Sequence, residues 1–193
     1  MPGTEQRSLG SFPLSTGGRA HPSPVPSASA INARLPGAYF YDSYSIALPD
    51  MSRPALGYFL AAVANTPQWV NALMALRNKT VQLVGLKNLG GLGGFDHAKP
   101  ASAYVPGDRV GIFKLMSNTE QEALLGESDK HLEVVLSVFK HPPAANGTLT
   151  ISITTVVHVH NLLGRVYMLP VTPLHKLVAP AVMNRILVEP AAL

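Results

Sequence analysis

With 193 residues, 47% of them hydrophobic and 13% charged, the chain is long enough for one domain with a sizeable core. Its net charge of +4 forms no run of Lys and Arg, which argues against the basic stripe that nucleic-acid binding needs, and half of the excess is Arg7, Arg19 and Arg34 against Glu5. The absence of cysteine excludes disulfides, thiolate metal sites and cysteine nucleophiles. The N-terminus lacks the basic-then-apolar pattern of a signal peptide and no run of about 18 uncharged apolar residues occurs, so a cytoplasmic protein without a transmembrane segment is expected.

Residues 1–38 combine six prolines with many Ser and Gly and hardly an aromatic, a composition that buries too little apolar surface to offset its ordering entropy. They read as a disordered leader, with one domain over 39–189 and a tail over 190–193. Tyr39 to Leu48 is aromatic and β-branched enough for a first strand, ending at Pro49. Ser52 offers an N-cap, and Leu56, Phe59, Leu60 and Val63 recur at helical spacing up to about Asn65. Thr66 and Pro67 restart the pattern as N-cap and first turn of a second helix, with Trp69, Val70, Leu73, Met74 and Leu76 on its buried side; it runs on through Val81 and Val84 to a stop at Gly85.

The connection from Leu86 to Gly107 is longer than structureless loops in compact domains usually are, and reads as a lid or plain loop. Its GGLGG run lacks the following Gly-Lys-Ser/Thr and the flanking strand and helix of a phosphate loop. Arg109 to Met116 and Glu122 to Gly126 read as strands. A hairpin turn at Glu127 to Asp129 leads into a third over Lys130 to Lys140, and Asn146-Gly147 is the next tight corner. In the long strand that follows, alternation puts Ile151, Ile153, Thr155, Val157 and Val159 on a core face, and Thr150, Ser152, Thr154, His158 and His160 on a wet one. Leu163, Tyr167, Pro170, Leu174, Leu177, Val178 and Ala181 then form one apolar helical stripe. Pro170, Pro173 and Pro180 fall inside that helix, where each costs about 3 kcal/mol, so a kink or a break at Thr172-Pro173 is expected.

The runs PQWVNALMALRN, GESDKHLEVVLSV and HNLLGRVYMLPVTPLHKL, in this order between Tyr39 and Leu187, resemble an uncharacterised bacterial family of unknown function associated with the START/Bet v 1-like (SRPBCC, polyketide cyclase-like) superfamily. The resemblance implies an α+β helix-grip fold: a curved antiparallel sheet, two short helices and one long kinked C-terminal helix. It brings no established activity, cofactor or metal with it.

On that fold a cavity is expected between the long helix and the face of Ile151, Ile153, Thr155 and Val157, with Trp69, Phe59 and the 86–107 loop at its rim. Tyr167 is the polar contact inside it and His175 lies at its flank, which suits a small hydrophobic or amphipathic ligand. The alternative is a cyclase, hydratase or isomerase with His or Tyr as acid and base. A third reading is a membrane-peripheral partner using the outer side of the helix, where Arg165 and Lys176 fall three turns apart. His158 and His160 share a strand face as metal ligands would, but beside Thr150, Ser152 and Thr154 they read as solvated, and no metal or cofactor is expected. The Asp129, His131 and Glu133 cluster reads as the exposed edge of a hairpin. Asn161 reads as a helix cap and Arg165 as pairing with a surface carboxylate.

Overall fold

The computed structural model of the chain describes residues 18–49, 52–83 and 91–187. Its longest strand, β7 (Thr148–Val159), is β-branched at most positions and is paired on both sides. It pairs along its length with β2 (Phe40–Pro49) and with β6 (Leu132–Lys140). With β1 (His21–Pro22), β3 (Arg109–Val110), β4 (Phe113–Asn118) and β5 (Glu122–Ser128) they form one curved antiparallel sheet in the order β1-β2-β7-β6-β5-β4-β3. Three helices, α1 (Ala55–Ala64), α2 (Gln68–Leu83) and α3 (Leu162–Met183), complete an α+β architecture whose last helix is long.

The register sets the core. Tyr44, Ile46 and Leu48 stand beside Ile153, Ile151 and Leu149, while Val134, Leu136 and Val138 stand beside Val157, Thr155 and Ile153. These side chains pack against Leu56, Tyr58, Phe59, Ala62 and Val63 of α1 and Val182 and Met183 of α3.

The opposite face of the sheet is not wet, and this corrects two expectations together. Residues 18–38 are not a free leader: β1 pairs with β2, a 3-10 turn at Ala30–Arg34 follows, and Ile31, fully buried, sits on Val135 and Val156. Beneath this cover Ser152 and Thr154 are 1% exposed. Their hydroxyls are matched across the strands, Ser45 to Ser152 at 2.7 Å and Ser43 to Thr154 at 2.9 Å. Glu122 anchors the segment, accepting from the Ser29 hydroxyl, from Ser137 Oγ at 2.6 Å and from the Ala30 amide at 2.9 Å. His158 donates from Nε2 to the Arg34 carbonyl at 2.8 Å, whereas His160 is exposed. A Ser/Thr-rich sheet face thus meets a covering segment and not solvent. Residues 1–17 and 188–193 of the expected leader, domain end and tail lie outside the described residues.

Smaller departures have local causes. The expected single strand from Arg109 is a hairpin, because Gly111 turns the chain at φ 60° and its α-carbon lies so close to the Leu92 carbonyl that an added Cβ would sit 2.2 Å from it. The turn after β5 comes later than expected, at Asp129, whose Oδ1 accepts from the amides of His131 and Leu132. Ser52 does not cap α1: it has φ 51°, and Pro54 is the N-cap. Helix α2 begins at Gln68; Trp69 and Leu76, expected to be buried, are 46% and 59% exposed, so Val70 alone anchors the first turn. The proposed run through Val84 to Gly85 lies outside the described residues. From residue 91 onward the long connection is tied down. Lys99 pairs with Asp108 at 2.7 Å, the Tyr104 hydroxyl donates to the Asp96 carbonyl, and Leu92 and Phe95 pack on the core.

Helix α3 runs unbroken through Pro170, Pro173 and Pro180, and the alternative break at Thr172 does not occur. The carbonyls deprived of donors belong to Val166, Leu169 and Lys176, all exposed, where solvent is free to replace the missing bond. Its inner face is displaced by one residue from the expected stripe: Gly164, Met168, Val171, His175, Val178 and Val182 face inward, while Leu174 and Leu177 are 41% and 62% exposed. Gly164 sets this rotation. A Cβ there would lie 2.4 Å from the His131 carbonyl oxygen, so only glycine lets the helix start this close to β6. Asn161 caps the helix as expected, accepting from the Gly164 amide at 3.1 Å. By length and composition α3 is apolar enough to cross a membrane, although Arg165, His175 and Lys176 interrupt it.

Candidate functional site

The displaced inner face of α3 does not fill the concavity of the sheet. A cavity of about 280 Å³ remains between them. The sheet supplies Phe40, Tyr44, Leu132, Val134, Leu136, Ile153, Thr155 and Val157 as its floor. Helix α3 supplies Tyr167, Met168, Val171, Leu174, His175, Val178, Val182 and Met183 as its roof, and Val70, Leu73, Met74 and Arg77 of α2 close one side. At the end under α1, Phe59 and Phe113 meet edge to face with centroids 6.4 Å apart. Leu174 is the exposed member of this lining and marks the rim beside the partly buried Leu73, Met74, Arg77 and Tyr167.

Of the six residues singled out from the sequence, Phe59, Thr155, Val157, Tyr167 and His175 stand in this wall. Trp69 does not: it is half-exposed on the outer side of α2. Phe59 is 6% exposed and lies deep in the cavity, not at its rim. Of the long connection, Leu92 reaches the wall.

Two polar stations interrupt the apolar wall at His175 and Tyr167, both on α3; Asp42, the partner of His175, is not itself part of the lining. At the first, His175 Nε2 meets Asp42 Oδ1 at 3.1 Å, with Phe40 edge-on to the imidazole at 5.7 Å. Asp42 is on the inward face of β2, directly beside Thr155 of β7. Its second oxygen, Oδ2, is buried without a hydrogen-bond partner, a condition that costs about 1–3 kcal/mol for a polar group. Tyr44 follows two residues on along the same face; burial, reinforced by the Asp42 charge, pushes its phenol above the usual tyrosine range, so it stays a neutral donor. At the second station, Arg77 Nε donates to the Tyr167 hydroxyl at 3.0 Å, and the guanidinium carbon lies 5.6 Å from the centre of the Tyr167 ring. Tyr167 and His175 are eight residues apart on one helix, so the stations are separated by roughly 12 Å along its axis. At that separation they do not converge on one atom.

Asp42, Tyr44 and Arg77 were missed in the sequence, and each left a signal. Asp42 is the one charge among the inward-facing positions Phe40, Asp42, Tyr44, Ile46 and Leu48. Arg77 continues the Val70, Leu73, Met74 spacing. Among the described residues no group of three or more His, Cys, Asp or Glu is placed to hold a metal ion. His131, expected at the exposed edge of a hairpin, is instead a buried joint of the fold, its Nδ1 against the Asn161 side chain at 3.2 Å. Glu133 faces Arg34 at 3.5 Å, and Arg165 has no ion-pair partner among the described residues.

A family model described as a protein of unknown function, DUF2867, matches residues 34–182. No curated protein and no solved structure matches the chain.

Proposed function

We propose that this chain, which belongs to the DUF2867 family of proteins of unknown function, is a helix-grip binding module that holds one small, largely apolar molecule between α3 and the sheet. The carrying observation is the cavity of about 280 Å³, apolar apart from the two stations and the Thr155 and Tyr44 hydroxyls. That volume lies just below the usual range of small-molecule sites, which run from roughly 300 Å³ upward, and suits a compact ligand. The His175 imidazole and the Tyr44, Thr155 and Tyr167 hydroxyls in the wall support a ligand with at least one hydrogen-bonding group. Uptake of a naphthalene-sized fluorophore with a single hydroxyl tests the reading. Its emission should shift to the blue on binding, and Val157→Trp, which fills the cavity from the floor, should abolish the shift while the circular dichroism stays native. An unshifted spectrum with wild-type protein counts against the cavity as a binding site.

A second reading, an acid–base enzyme, is favoured by one observation: Asp42 orients His175 through Nε2, the arrangement that holds an imidazole in one tautomer for proton transfer. In this reading His175 takes a proton from an acidic C–H of the ligand and returns it to another position, while the Thr155 or Tyr44 hydroxyl donates to the oxygen that gains charge. Deuterium incorporation from solvent into a bound ketone, lost in His175→Ala, distinguishes the enzyme from the binder.

A further inference from the structure

The sheet accounts for only one side of α3. On the other side Leu162, Val166, Leu169 and Leu177 are 74%, 53%, 68% and 62% exposed, with Pro173 between the last two. Their spacing, i, i+4, i+7, i+11 and i+15, is that of one helical face, diametrically opposite the buried one. The stripe is roughly 22 Å long. Trp69 and Leu76 on α2 are also exposed, so seven of the eleven large hydrophobic side chains exposed among the described residues lie on these two helices. An apolar surface of this extent has a counterpart in most proteins.

Charge identifies the counterpart. Neither α2 nor α3 contains an Asp or Glu, whereas they carry Arg77, Lys79, Arg165 and Lys176. Arg165 and Lys176 are exposed and flank the apolar stripe along one edge. The acid of the adjoining β5–β6 turn, Asp129, has its Oδ1 occupied by two backbone amides. An antiparallel pairing of this face with a second copy would bring Arg165 near Lys176 of the other copy with no carboxylate on either helix to relieve the repulsion. A membrane surface with anionic headgroups satisfies both features at once: acyl chains take the stripe, and headgroup phosphates take the basic edge.

We propose that the outer face of α3, with Trp69 and Leu76 of α2, docks this protein in the plane of an anionic lipid surface. The long arms of Arg165 and Lys176 cover apolar surface with their methylenes and keep their charges at headgroup level. Leu174 lies both at the cavity rim and beside the docking stripe, so the cavity mouth between α2 and α3 is carried to the lipid surface. Docking itself rests on the outer face and does not require the cavity to be occupied.

The test is flotation of the full chain with vesicles of phosphatidylcholine alone and of phosphatidylcholine mixed with phosphatidylglycerol. Binding is expected to the anionic vesicles and to weaken as salt rises. Leu169→Glu should reduce partitioning roughly ten-fold or more, from the loss of one buried leucine and the gain of a like charge. Arg165→Glu with Lys176→Glu should reduce it by a similar factor. Both positions are exposed, and unchanged melting temperatures confirm intact folding. Val157→Trp should float like wild type, which separates docking from ligand binding. Absence of flotation with anionic vesicles, flotation untouched by Leu169→Glu, or a dimer on sizing columns that Leu169→Glu dissociates would each overturn the proposal, the last by assigning the face to a second copy.

Discussion

A buried carboxylate oxygen without a donor, such as Oδ2 of Asp42, costs stability, while Oδ1 of the same group holds His175 in the cavity wall. Asp42→Asn, which removes the buried charge, should therefore leave the melting temperature unchanged or raised, and should lower an occupant's affinity only through the orientation of His175; a fall of many degrees would assign Asp42 to the fold alone. Tyr167→Phe removes the hydroxyl that accepts from Arg77 Nε and whose own proton can be donated to an occupant; loss of that neutral bond to the occupant should weaken binding by about 0.5–1.5 kcal/mol without unfolding the chain. His141 gives a pH signature. Burial lowers its pKa below the ordinary 6.5, and Nε2 meets Ser152 Oγ at 2.7 Å. The unfolded chain then binds the proton first, so stability is complete above pH 6.5 and falls as the pH drops through 6.5 towards the folded value. Melting curves between pH 8 and 5 should show this loss, and His141→Gln should flatten it; an identical pH slope in the variant contradicts the assignment. Single residues were legible in the sequence where their role is local, as with the Asn161 cap. Asp42 and His175 stand 133 positions apart and meet only across the packed helix, so spacing carried no trace of their pairing.

At the scale of elements, α3 depends on one close approach and the sheet on one covering strip. Gly164→Ala places a methyl against the His131 carbonyl and should cost about 1–3 kcal/mol, read from a denaturation midpoint. Ile31→Ala empties the contact with Val135 and Val156 and should cost about 2–5 kcal/mol. Deletion through Leu35 goes further, since it strips the cover from the Ser43, Ser45, Ser152 and Thr154 hydroxyls; the melting temperature should fall by many degrees. An unchanged melting temperature would restore the leader as dispensable. The strands and helices themselves were legible from period and caps, because these are local properties. The destination of residues 18–38 was not: proline, serine and glycine signal the absence of regular structure, and Ile31 alone announced a contact. The rotation of α3 was hidden for a different reason. The helix is apolar on both sides, so periodicity offered two stripes, and Gly164 chose between them through a backbone contact invisible in the pattern.

For the whole molecule, the sheet, its cover and α1 form a firm body, while α2 and α3 close a space they do not fill. The cavity's general place was legible, because a long helix over a curved sheet follows from the order of elements; its polar stations were not, because they arise from contacts between distant strands and helices. The central claim is that this space holds a small molecule. Native mass spectrometry of the full chain as purified tests it directly. The account predicts a retained noncovalent mass in wild type that is absent from Val157→Trp of equal melting temperature, and retained by Leu169→Glu on the outer face. A wild-type spectrum of the bare chain, or an adduct that survives Val157→Trp, would contradict it.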